Sequence, residues 1–191
     1  MASETGIINA ALRKIGSSRI TSRTDGSEAA NALDDVFDDK RDEVLRGHTW
    51  NFAKARAQLA QVAGAPAFGF DHWYQLPADY LRVAAVYRDD KARSRIRFYR
   101  IEAGRLLCDD DDVYLLYVKR VTDPNAMMPD FREALAFRLA SEVAVALTNS
   151  TSLAKEMGAE YQRRLAKAQS NDAQEDGEDE DQPTEWELSR Q

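Results

Sequence analysis

The stretch RGHTWNFAKARAQLA, Arg46 to Ala60, decides how the chain divides. Before it, apolar residues recur every three or four positions. After it, aromatics multiply and the spacing shortens. Ala, Lys, Arg, Gln and Leu are good helix formers, so propensity alone would carry a helix through AKARAQLA. The next segment, FGFDHWYQLPADYLRVAAVY, carries strand and turn signals instead: dense aromatics, a proline at 77 and the alternation Leu81, Val83, Ala85, Tyr87. Residues 50–60 therefore read as helix or strand, and Gly47 marks the end of whatever precedes them.

Working outward towards the amino terminus, Ile7, Ile8, Ala11, Leu12 and Ile15 sit at helical spacing, with Gly16 where that helix should stop. A first helix is expected over 5–15. A polar connection leads to a second over 28–46, with Ala29, Leu33, Val36, Phe37 and Val44 on one face and aspartates largely on the others. On the other side of the β-rich middle, Asp130 and Glu133 have capping-box spacing, and Phe131, Leu135, Leu139, Val143 and Leu147 form a stripe. This third helix, 130–148, has a second apolar side. Ala136, Ala140 and Ala144 make a small-residue row near Phe137 and Val145, so more than one of its faces should be buried. TNSTS then links it to a fourth helix, 152–169, completing an αα-hairpin.

The middle, about 50–122, is expected to be a small antiparallel meander. RIRFYRIEAGRLLCDDDDVYLLYVKRV reads as three strands, with turns at 102–104 and 109–112. The fold class is accordingly α+β: a bundle of about four helices with a β-meander inserted in it. At 191 residues this is one domain, 1–170, with an appendage.

The appendage holds the charge. Residues 171–191 contain nine acidic side chains and one basic one, leaving 24 acidic and 25 basic in the rest of a chain whose net charge is −7. So anionic a segment, poor in apolar residues, is expected to form an extended arm. Its one apolar cluster, Trp186 and Leu188, reads as a docking point for a partner.

Chemical motifs are sparse. A single cysteine, Cys108, and two histidines, His48 and His72, fall short of a Cys/His zinc set, and neither histidine lies in a recognisable nucleophile signature. The run Asp109–Asp112 lacks the alternating ligands and glycine of a calcium loop, and reads as a charged hairpin turn rather than a cation site. There is no phosphate-binding glycine loop. RDDKARSRIRFYR, 88–100, interleaves six basic residues with aromatics and is the one candidate for nucleic-acid binding. The near-neutral body and acidic arm oppose a polyanion, so a solvated segment facing an acidic partner is the competing reading. No apolar run approaches the roughly 20 residues of a membrane span, and the first residues lack the pattern of a secretory signal, so a cytoplasmic origin is expected.

The order and wording of three segments resemble the tail tubular protein A family, the head-to-tail adaptors of short-tailed bacteriophages. They are RGHTWNFAKARAQLA, LPADYLRV (76–83) and YVKRVTDPNAMMPDFREALAFRLASEVAVALT (117–148), within a match running from about Thr5 to Leu165. The acidic arm lies outside it. The resemblance implies a non-enzymatic virion protein without cofactor or metal, made in the host bacterial cytoplasm. It also implies a ring, typically a dodecamer, set between portal protein and tail nozzle protein, with genomic DNA passing through the channel unread. The family runs extended after its Trp-x-Phe-Ala signature. Lys54 and Arg56 are thus expected on a strand, with Trp50 and Phe52 wedged into the core and 46–60 forming a hinge between helical and β parts. In a ring the two-sided third helix would meet a neighbour through Ala136, Phe137, Ala140 and Ala144. In the wider class the carboxyl-terminal segment often reaches into the portal, a role for Trp186 and Leu188.

Overall fold

The computed structural model describes residues 1–175. The fold is α+β: four helices and two three-stranded antiparallel sheets.

Helix α1, Glu4–Lys14, begins where the Ser3 hydroxyl accepts the Gly6 N–H. It closes through Gly16, at φ 71°, with Ser17 N–H bonded back to Leu12 and Gly16 N–H to Arg13. Ser27 caps α2, Glu28–Gly47, which buries Ala30, Leu33, Phe37, Val44 and Leu45. Gly47 does not end α2 by a left-handed turn. It lies inside the last helical turn, and the chain leaves through an extended His48 while the Trp50 indole donates to the Val44 carbonyl at 3.1 Å. A side chain thereby satisfies a carbonyl that a helix end leaves orphaned.

A 3₁₀ turn, Asn51–Ala53, leads into strand β1, Lys54–Gln58, so the extended reading of this stretch is the correct one. The strands that follow are β2 (His72–Gln75), β3 (Tyr80–Tyr87), β4 (Arg100–Glu102), β5 (Arg105–Cys108) and β6 (Tyr114–Lys119). They do not form one meander. One sheet has the order β1-β6-β3 and the other β2-β5-β4. Only β4 and β5 make a tight hairpin, through Ala103 and Gly104, both at positive φ. Asp109–Asp112 is not a hairpin turn: β5 and β6 belong to different sheets, and the run carries the chain from one to the other. In β3, register shifts after Tyr80 and Val83 break the expected alternation, and Val86 becomes buried where Tyr87 was expected. The expected strand over 95–100 is mostly irregular, with β4 confined to its end.

Helix α3, Pro129–Thr148, is central and packs against each of the other three helices. No capping box forms. Proline occupies the first turn, Met128 is the cap without a side-chain bond, and Glu133 instead pairs with Lys14 at 2.7 Å. Asn149, left-handed at φ 54°, and Ser150, which caps the next helix, make the tight link to α4, Thr151–Gln174. Helix α4 runs five residues past its expected end, so 171–174 belong to the body and not to the arm.

There are two apolar cores. The larger unites the helices with Trp50, Leu81 and Val118; the smaller lies between the sheets around Tyr74, Val86, Leu106 and Leu115. Strand β6 serves both, sending Leu115 and Tyr117 into the smaller core and Val118 into the larger. No described helix is long and apolar enough to cross a membrane.

Candidate functional site

The stretch Arg46 to Ala60 forms the junction between helical and β parts. Trp50 is fully buried, with Phe131 of α3 edge-on at 5.2 Å; Phe52 meets the same ring at 5.1 Å. Next to them, the Asp172 carboxylate, 1% exposed, accepts the Asn51 N–H at 3.0 Å and His48 Nε2–H at 3.1 Å. The Asp172 carbonyl accepts from Asn51 Nδ2 at 2.7 Å, and Asn171 Nδ2 donates to Asp130 at 2.5 Å. The end of α4 is therefore tied by hydrogen bonds to residues 48–51, at the start of the β part.

LPADYLRV reaches the same joint from the other side. Arg82 donates to the Thr49 hydroxyl. Asp79 accepts the Tyr117 hydroxyl at 3.0 Å through its carboxylate and the Arg120 N–H at 2.6 Å through its carbonyl. Arg120 continues to Asp42 of α2, also at 2.6 Å. Burial, followed by the hydrogen bond to Asp79, pushes the Tyr117 hydroxyl up to about 12, so it stays a donor. The segments 46–60, 76–83 and 117–148 thus converge on one joint between the helices and the β part.

The histidines act as struts. Asp172, the partner of His48, lies 124 positions away and carries no sequence signal, and the neighbouring Thr49 hydroxyl is engaged by Arg82. His72 has both ring nitrogens occupied, by Gln61 at 2.8 Å and Asp111 at 3.2 Å. The aspartate run diverges: Asp109 accepts the Asp71 N–H, Asp110 pairs with Arg88, Asp111 with His72, and Asp112 accepts from Gln58. Tyr74, buried beneath, donates to the carbonyls of Asp110 and Asp111, and burial followed by nearby Cys108 and Asp111 pushes its hydroxyl up to about 12. Burial also raises the Cys108 thiol and keeps it protonated. Among the described residues no three His, Cys, Asp or Glu side chains converge as metal ligands.

No family model matches the chain, and no curated protein sequence matches it.

Ala136, Phe137, Ala140 and Ala144, expected at a subunit interface, are each 8% exposed or less inside the single subunit. The Lys14 ammonium stands 3.7 Å over the Phe137 ring, and Arg164 of α4 flanks it at 5.6 Å. At these four positions the second apolar side of α3 is covered by the chain's own helices, while Val145 on the same side stays 44% exposed. Trp186 and Leu188 lie outside the described residues.

The basic stretch 88–100 divides in two. Asp89 knots its first half by accepting three backbone N–H groups, from Lys91, Arg93 and Ser94; the first of its effects, the bond from Arg93, holds its carboxyl below the usual range. The second half turns outward: Arg97, Phe98 and Arg100 are exposed. Phe98 stacks at 5.2 Å on Phe70, from a loop that sequence reasoning overlooked. Its signal was present in GAPAFGF, two aromatics among residues that supply no strand or helix to bury them. Phe68 is 88% exposed and Phe98 66%. Between this loop and the β4–β5 hairpin lies an open groove of about 360 Å³, floored by Trp73 and Leu107, with Arg100 and Arg105 on its walls.

Proposed function

We propose that the chain is a structural subunit of a bacteriophage head-to-tail connector: a ring, dodecameric by its family resemblance, between portal and tail nozzle. One observation carries the reading beyond word order. The three segments behind the resemblance, distant in sequence, meet through Thr49–Arg82, Asp79–Tyr117 and Trp50–Phe131. That the residues behind the resemblance build one joint supports a common framework. The joint also suits the task. A connector bears load between two larger bodies, and its helical and β parts are locked by buried hydrogen bonds and aromatic packing. Such buried contacts are far less screened by salt than surface ion pairs.

Ring closure calls for a heterologous contact, one surface of each subunit meeting a different surface of the next. DNA passes through the channel without sequence-specific binding, which the near-neutral body favours, since each neutralised phosphate would add affinity and slow passage. In this setting the protein is made in the host cytoplasm and resides in the virion. Native mass spectrometry of the chain mixed with its portal protein should give a complex carrying many copies; no association at any salt concentration would refute the proposal.

A further inference from the structure

We propose that the groove over β2, β5 and β4 is the docking site of the chain's own acidic segment, residues 176–191, with Trp186 as its anchor. The groove has the shape and chemistry of a site for one aromatic side chain flanked by carboxylates. Phe68, Phe70 and Trp73 line it, and Phe98, exposed, packs on Phe70 beside it. Arg105 lies 4.4 Å over the Trp73 ring, leaving a cationic edge beside an apolar floor. Among the described residues, neither Arg97 nor Arg100 forms an ion pair, and Glu102 is the only carboxylate of the lining.

Charge selects the occupant. Residues 91–105 carry six basic side chains and one acidic, whereas 176–191 carry seven acidic and one basic. Within that segment Glu185 and Glu187 bracket Trp186, so that seating the indole brings two carboxylates to the mouth of a groove lined by Arg100 and Arg105. Reach is no obstacle. The eleven residues from Glu175 to Trp186 span up to about 36 Å when extended, against a radius of gyration of roughly 16 Å for a body of this size.

Tethering settles the competition with nucleic acid. A segment joined to the body by a short linker acts at an effective concentration in the millimolar range. A free polyanion of similar charge must displace it to reach Arg97 and Arg100. The docking concerns the chain alone and stands or falls independently of the connector reading.

The test uses the full chain with the photoreactive amino acid p-benzoylphenylalanine in place of Trp186. Cross-links mapped by mass spectrometry should fall on residues 66–73 and 97–105. Arg97→Glu with Arg100→Glu, both at exposed positions, should lower their yield on the order of fivefold, the effect of losing two exposed ion pairs. Adding Glu185→Lys and Glu187→Lys should restore it. Cross-links elsewhere, or a yield indifferent to the arginine reversals, would overturn the proposal. If the cross-links fall elsewhere and the full chain binds a labelled oligothymidylate at low salt through Phe98, the groove belongs to nucleic acid instead.

Discussion

Replacing Asp172 by alanine tests the joint at its most buried polar group. The carboxylate, 1% exposed, accepts from the Asn51 backbone N–H at 3.0 Å and from His48 at 3.1 Å; only the carbonyl bond to Asn51 Nδ2 would survive. Hydrogen bonds to charged groups contribute about 1.5–3 kcal/mol each, and truncation leaves two donors seeking water at a partly buried site. Alanine's better helix propensity returns a few tenths. The net loss should be about 2–4 kcal/mol, which for a domain of this size lowers Tm by roughly 5–15 °C. Asp172→Asn keeps one acceptor and should cost about half as much. Urea unfolding followed by tryptophan fluorescence reads both, and a double-mutant cycle with His48→Ala should show coupling of about 1 kcal/mol. An Asp172→Ala protein within 0.5 kcal/mol of wild type would mean that α4 is not bolted to the junction.

Other expectations follow from the same contacts. Trp50→Ala removes a fully buried indole that also caps α2, and should cost about 3–5 kcal/mol by chemical denaturation, whereas a loss under 1 kcal/mol would contradict its place in the core. Ala103, held at φ 46° in the β4–β5 turn, should gain about 0.5–1 kcal/mol on replacement by glycine, read as a higher Tm; a lower Tm would deny the left-handed turn. The Arg138 hydrogen bond outweighs desolvation and holds the Glu43 carboxyl below its usual value. Its stabilisation is therefore complete above the unfolded value of about 4.3 and disappears as pH falls through the folded one. Because the side chain is about half exposed, the effect is a few tenths of a kcal/mol, and Glu43→Gln should flatten the stability profile between about pH 3 and 5 by that amount. An unchanged acid slope would remove Glu43 from the linkage.

The helices were legible because their signals are local. Gly16 as a stop and stripes at three and four residues specify an element without its neighbours, whereas the capping box expected at Asp130 and Glu133 did not form because Glu133 pairs with Lys14. What escaped depends on partners. Strand pairing is decided by tertiary packing, so three successive strands could look like a meander while β5 joined β2 and β6 joined β1 and β3. The end of α4 was hidden by polarity. Its stripe, Met157, Tyr161, Leu165, Ala168, continues to position 172, where an aspartate replaces the expected apolar residue because Asn51 and His48 wait for it. The α3 alanines correctly signalled a second buried face, yet only the fold reveals that α1 and α4 cover it. In RGHTWNFAKARAQLA the residues announced a boundary, and the bond from Asn51 to Asp172, 121 positions away, ties it to the end of α4.

Electron microscopy of the chain purified with a portal protein shows whether it closes a ring. A connector subunit gives a closed ring of cyclic symmetry, twelvefold by the family resemblance, coaxial with the portal and open along its axis. Particles that remain single subunits, or that bind the portal without closing a ring, would contradict it.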